Sequence, residues 1–302
     1  MQPFREKVVA FGPDRRLIGI LTAPVAPRLP GSPHVVLLNS GLIHRVGTSR
    51  LHVLLARDLA AGGIATLRFD LSGIGDSERQ PEAITLQQSV EQDISAALAF
   101  LSAEHGAGHF VLAGLCSGAY DAFHAAQEDP RISSVVLLDI PGPFLSWRHV
   151  VHHLKARVLR SASWRRPIDK LLLYARVLRH VSRPGPGPTE IGYRPGVRRS
   201  MSREHMQSAL EEILGRNVHL YFIFTAGVPG NYNHRSQFRR AFPAAAEHSA
   251  LKHDFLPECD HLFSSSAARA RVVSLIREWV ASQTVRLAAL LVASSDVVSL
   301  LT

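Results

Sequence analysis

Apolar and polar residues alternate along two short stretches near the start of the chain, residues 7–11 and 17–22, on either side of Gly12-Pro13-Asp14. Period-two patterning across a turn-forming tripeptide predicts an antiparallel hairpin at one end of a sheet. After a proline-rich link at 24–33 the pattern changes to short unbroken apolar runs at 35–38, 64–69, 110–113, 135–138, 218–224 and 251–256. Runs of that length suit strands covered on both faces. Between most of them, residues 49–61, 86–103, 119–127 and 267–282 place apolar side chains three and four apart, the spacing of a helix with one buried face. Strand and helix in alternation predict an α/β fold with a mostly parallel, doubly wound sheet flanked by helices.

The alternation stops at residues 144–215, where arginine-rich amphipathic segments surround Arg183-Pro184-Gly185-Pro186-Gly187-Pro188. This stretch reads as an inserted helical cap, with residues 1–143 and 216–283 forming the core and 284–302 an apolar C-terminal tail. Arg286 and Asp296 bound a run too short for a spanning helix, so the tail is expected to pack against the body or a partner. A length of 302 residues suits one α/β unit with insertions. No secretory signal precedes the hairpin and no long apolar run follows it, so the expectation is a cytoplasmic protein without a transmembrane span.

Charge changes the picture in one place. Residues 144–203 carry fourteen Lys/Arg against two acids, a net +12 in a chain whose total is +9, which leaves −3 for the rest. A basic cap fits an anionic partner, either an acyl-carrier protein, a phosphopantetheine or coenzyme A thioester, or a negatively charged membrane surface. The charge has no interleaved aromatics and no nucleic-acid-binding module, so nucleic acid is not the expected partner. The two cysteines, Cys116 and Cys259, have neither CxxC spacing nor a neighbouring His/Cys cluster. A disulfide framework, a structural zinc site and an organic cofactor are all outside the expectation.

One cysteine stands where chemistry is expected. The segment His109-Phe110-Val111-Leu112-Ala113-Gly114-Leu115-Cys116-Ser117-Gly118-Ala119 reads as a strand, a Gly-x-Cys-x-Gly turn and a helix beginning near Ala119. Glycines two before and two after a residue on such a turn keep it clear of the adjoining strand and helix, and they point to Cys116 as a nucleophile. Ser117 is the rival hydroxyl, flanked by Leu115 and Ala119 instead of glycines. Its backbone amide, together with that of Leu42 in the turn Asn39-Ser40-Gly41-Leu42-Ile43, is expected to receive the oxyanion. His44 and Arg45, just beyond, are candidates for substrate contact or for solvation.

In acyl-transfer triads built on such an elbow, the acid and then the histidine follow later in the chain. His261, in Leu256-Pro257-Glu258-Cys259-Asp260-His261-Leu262-Phe263, is the expected general base, and Asp260 is expected to brace the loop. The usual position of the acid, after the strand at 218–224, reads Thr225-Ala226-Gly227-Val228-Pro229-Gly230-Asn231-Tyr232-Asn233 and holds no carboxylate. Asp139, at the end of the preceding strand, is the first choice to orient His261. Asn231 and Asn233 are the alternatives, since an asparagine orients the imidazole in some cysteine–histidine sites.

Taken together, Arg68-Phe69-Asp70, the turn Gly73-x-Gly75-x-Ser77, the elbow and Asp260-His261 resemble the α/β-hydrolase superfamily over most of residues 7–283. His44-Arg45-Val46-Gly47, Leu54-Leu55-Ala56-Arg57 and Gly114-Leu115-Cys116 are further similar to exosortase-system-associated hydrolases and to hydrolases encoded near biosynthetic gene clusters. Dienelactone hydrolases and polyhydroxyalkanoate synthases also place cysteine at the elbow, so the resemblance implies hydrolysis or acyl transfer. The expectation is a hydrolase acting on an ester or thioester through an acyl-cysteine. An acyltransferase or condensing enzyme with the same intermediate, and a non-catalytic binding protein on the same fold, are the competing readings.

Overall fold

The computed structural model describes residues 3–26, 31–81, 83–144, 201–226 and 232–300. The hairpin forms as read, from β1 (Phe4–Phe11) and β2 (Leu17–Pro24) in antiparallel register. Then come β3 (His34–Leu38), α1 (Leu51–Ala61), β4 (Thr66–Phe69), α2 (Leu86–His105), β5 (Phe110–Leu115), α3 (Ser117–Glu128) and β6 (Ile132–Leu138). They are followed by α4 (Arg203–Gly215), β7 (His219–Thr225), two short helices, α5 (Gln237–Ala241) and α6 (Pro243–Ala246), β8 (Leu251–Leu256) and α7 (Ser266–Leu300). The eight strands lie in the order β1-β2-β4-β3-β5-β6-β7-β8 and are parallel from β4 to β8.

Unbroken apolar runs in β3, β5, β6 and β7 are explained by the two layers they separate. Val36, Leu38, Leu112, Leu137 and Phe222 face one core, shared with α2, α3 and α4. Their neighbours Val35, Leu37, Val111, Val136 and Tyr221 face the other, shared with α1 and α7. Since successive strand residues point to opposite faces, a strand between two helical layers must be apolar at every position. Each fully buried aliphatic side chain contributes about 1.5–3 kcal/mol. Helix boundaries follow from local chemistry: Thr85 and Gln88 form a reciprocal capping box at the start of α2, and Gly106 closes it in the left-handed region.

Two boundaries differ from the sequence reading. Residues 203–215, read as the end of the cap, form α4, whose Met206, Leu210 and Ile213 are buried in the main core beside α3. They belong with the body, while residues 145–200, the rest of the basic segment, lie outside the described residues. The apolar tail is also no separate element. Helix α7 continues unbroken to Leu300, and Gln283, Thr284 and Leu287 are buried against the body, with Arg286 donating to the Ser133 carbonyl at 3.3 Å. No helix among the described residues is long and apolar enough to cross a membrane.

Candidate active site

Strand β5 delivers Cys116 directly to the first residue of α3, so the helix begins at Ser117 and not near Ala119. The turn is as tight as the glycines suggest: a Cβ on Gly114 would lie 2.2 Å from the Gly118 carbonyl carbon, and one on Gly118 would lie 2.4 Å from the Asn39 carbonyl oxygen. Backbone blocks both positions, so neither neighbour can yield cheaply. A Gly114→Ala or Gly118→Ala variant is therefore expected to lose about 3 kcal/mol of stability, read as a fall in the urea unfolding midpoint. Cys116 itself sits at φ 57°, ψ −113°, a conformation rare for an L-residue. Its amide donates to the Leu138 carbonyl at 2.9 Å and its carbonyl accepts from Tyr120 at 3.1 Å. Packing on both sides of the elbow holds the strain in place and leaves the thiol half-buried.

Ser117 has a different task from its neighbour. It is 6% exposed, and its Oγ accepts the Gly41 amide at 2.6 Å. That bond ties the turn after β3 to the elbow. The turn is closed by the Ile43 amide on the Ser40 carbonyl at 3.0 Å, and with Gly41 engaged, no acceptor among the described residues takes the Leu42 amide. The Ser117 amide, first in α3, likewise has no partner within the helix. Neither of the two amides named from sequence has an acceptor among the described residues. Asn39 braces the turn from below, donating to the Ile43 carbonyl and accepting the Leu71 amide, both at 2.8 Å. Arg45, a candidate for substrate contact, is instead clamped to Asp70 and Asp76. It locks this turn to the loop after β4, whereas His44 is exposed.

His261 enters from the loop between β8 and α7. Asp260 accepts the amides of Leu262 at 2.9 Å and Ser264 at 3.1 Å, and Phe263 is fully buried, so the loop is braced as expected and His261 is aimed inward. Its Nδ1 lies 2.9 Å from Asp139 Oδ2. Asp139 is 2% exposed, at the end of β6, and its own amide donates to the Ile223 carbonyl at 2.8 Å. Thr225, at the end of β7, donates its amide to Oδ1 and its hydroxyl to Oδ2, each at 2.6 Å. Three donors converge on this carboxylate. Since a carboxylate only accepts, the Nδ1 of His261 carries a proton and its Nε2 serves the Cys116 side.

The pairing raises the His261 pKa to about 9. The hydrogen bond to Asp139 is the largest cause and the hydrogen bond to Cys116 the next, both opposed by burial. The ring is therefore imidazolium at neutral pH. The Nδ1 that Asn233 was to orient faces Asp139 instead, and the backbone N–H of Asn233 donates to Gln237 Oε1 at 2.6 Å. Asn231 lies outside the described residues. Thr225 was missed in the sequence because it offers no charge; its signal was its place, the end of the strand where the acid usually follows. Among the described residues no group of His, Cys, Asp and Glu side chains is placed to hold a metal.

Comparison with known proteins agrees with this geometry at the level of family and fold. The profile of the family described as serine aminopeptidase, S33, matches residues 32–182, half of the chain. Among solved structures, an esterase from Pyrococcus furiosus superposes with a TM-score of 0.58 at 12% identity, covering 92% of this chain and 91% of its own. A proline iminopeptidase from Mycobacterium smegmatis gives 0.56 at 13% identity, covering 93% and 99%. The esterase domain of a Rhodothermus marinus protein gives 0.54 at 21% identity, covering 91% and 97%. Curated proteins gave no significant match.

Proposed function

The chain belongs to the serine aminopeptidase S33 family of α/β-fold hydrolases, and on that premise we propose that it cleaves an ester or thioester through a covalent acyl-cysteine on Cys116. One observation carries the reading: a cysteine on the strained turn, flanked by glycines, lies beside a histidine that an aspartate holds from behind. The family is named for serine, and the protonation of His261 says why cysteine suits this site. A serine hydroxyl must give its proton to a neutral ring in the step that forms the new bond. A ring that already carries that proton at neutral pH cannot accept it. A thiol that has passed its proton to the ring is a thiolate, ready to attack.

In the proposed cycle the Cys116 thiolate adds to the substrate carbonyl, and the oxygen takes the negative charge between the amides of Leu42 and Ser117. Each such donor is worth about 3 kcal/mol in the transition state, and the N-terminus of α3 adds its dipole. As the tetrahedral species collapses, the carbon–oxygen or carbon–sulfur bond breaks and His261 Nε2 gives its proton to the leaving alcohol or thiol. The neutral imidazole then takes a proton from water, whose oxygen attacks the acyl-cysteine. Collapse of the second tetrahedral species releases the carboxylic acid and restores thiolate and imidazolium.

Intact-protein mass spectrometry after brief exposure to a panel of acyl thioesters and activated esters tests the covalent step. An acyl adduct should form on the wild type. It should persist in Ser117→Ala, where loss of the tether to Gly41 loosens the oxyanion turn and lowers kcat/KM by roughly threefold to tenfold, the worth of about one hydrogen bond. An adduct that moves to Ser117, or that vanishes with its hydroxyl, would sink the assignment.

A further inference from the structure

A cavity of about 360 Å³ opens beside the oxyanion turn, with Gly41, Leu42 and Ser117 at its edge. With Leu42 and Ser117 as the proposed oxyanion donors, it begins beside the carbonyl of a bound acyl group. Leu71 and Ile74, from the loop after β4, line one side, and Leu86 and Val90, from the first turns of α2, line the other. Two carboxylates from different helices close it: Asp93 of α2, 1% exposed, and Asp121 of α3, 3% exposed. Ser72, Arg79, Gln80 and Ser89 complete a mixed wall, so the cavity suits a ligand with a short apolar stretch near the reacting carbon and a polar far end.

The carboxylate of Asp93 is fixed. Its Oδ2 accepts the Ser72 amide at 2.7 Å, and its Oδ1 accepts the Ser72 hydroxyl at 2.7 Å and Gln80 Nε2 at 3.1 Å. A carboxylate offers about four lone-pair sites, so one direction is left for a further donor. Burial raises the pKa of Asp93 against the pull of these bonds and of the Arg16 charge. Size bounds the ligand as well. Ligand pockets span about 300–1,000 Å³, which puts this one at the small end, the size of a short acyl group.

Resting on the reading of Cys116 as nucleophile, we propose that this cavity is the acyl subsite and that it selects short acyl groups ending in a hydrogen-bond donor, a hydroxyl or an ammonium. The recognising chemistry is the same for both ends, and the test separates them.

Acylation of Cys116 by p-nitrophenyl esters is followed by nitrophenolate release and by intact mass. In this step the thiolate forms the S–C bond, the ester C–O bond breaks and nitrophenolate leaves as the anion. Acetyl, hexanoyl, ω-hydroxyhexanoyl, ω-aminohexanoyl and dodecanoyl esters are compared. Either ω-substituted ester should acylate about tenfold faster than hexanoyl, as expected of a hydrogen bond to a charged acceptor, with dodecanoyl slowest. The faster of the two identifies the donor. Ser89→Phe, which places a ring in the cavity wall, should bring both ω-substituted esters down to the hexanoyl rate. Normal acetylation of Cys116 with equal rates for hexanoyl and both ω-substituted esters overturns the subsite while the nucleophile stands. Failure of every ester, acetyl included, to modify Cys116 overturns both.

Discussion

Cys116→Ala is expected to abolish the acyl adduct and to lower turnover by about 10⁴- to 10⁶-fold, the scale on which covalent nucleophiles matter when a triad acts as a unit. Alanine occupies the same backbone conformation at much the same cost as cysteine, so the urea midpoint should barely move, and the loss can be assigned to chemistry. Cys116→Ser is the sharper comparison. The variant loses the Cys116 share of the rise in His261 but keeps the larger one, the hydrogen bond to Asp139; a ring that Asp139 keeps protonated gives a serine hydroxyl no base, and the variant should fall at least about 10²-fold below wild type, the usual worth of general-base assistance. Steady-state kinetics with the best ester of the panel, together with intact mass, reads both. Wild-type rates in the serine variant would show that His261 works as an ordinary neutral base and would remove the argument for a thiolate–imidazolium pair.

Asp139→Asn should cost about 10²- to 10⁴-fold in kcat/KM. Thr225 and His261 point three donors at two oxygens, and an amide supplies one. If its NH2 group turns toward His261, the ring must present a bare Nδ1, and the proton moves to Nε2, the atom that must be free to accept from water. The same substitution has a readout in proton binding. His261 is raised to about 9 in the fold, with Asp139 as the largest cause, against 6.5 in the unfolded chain. Its contribution to stability is complete below pH 6.5 and is lost as pH rises toward about 9. In Asp139→Asn that decline should flatten, and the imidazole titration, followed by NMR, should move back toward 6.5. An unchanged titration would show that Asp139 does not hold the ring.

The architecture was legible in the chain because period and composition are local properties that burial enforces everywhere. Unbroken apolar runs such as 135–138 and 218–224 exist because helices cover both faces of the sheet, and each became a strand whose ends lie within three residues of those of the run. Boundaries were legible only where a cap marked them. Ser202, whose side chain accepts the His205 amide, begins a helix of the body that charge alone had assigned to the cap. Nothing in composition distinguishes the end of an insertion from the start of the next core helix; burial of Met206 and Leu210 does.

For the candidate site, the elbow was determined by sequence alone, since two glycines around a cysteine constrain backbone within five residues and need no distant partner to be recognised. His261 and the bracing role of Asp260 were legible for a similar reason, being set by a short loop with its own hydrogen bonds. What only the tertiary structure decided were relations between strand ends. Sequence left Asp139 and two asparagines open; parallel pairing of β6 with β7 places Thr225 next to Asp139 and brings both under the loop that carries His261. Likewise, that Arg45 is a clamp, that Ser117 holds the turn after β3, and that Asp93 and Asp121 close one cavity could not be read from spacing, because each depends on segments about twenty to eighty residues apart meeting at one edge of the sheet. Local chemistry names the residues, and the register of parallel strands chooses their partners.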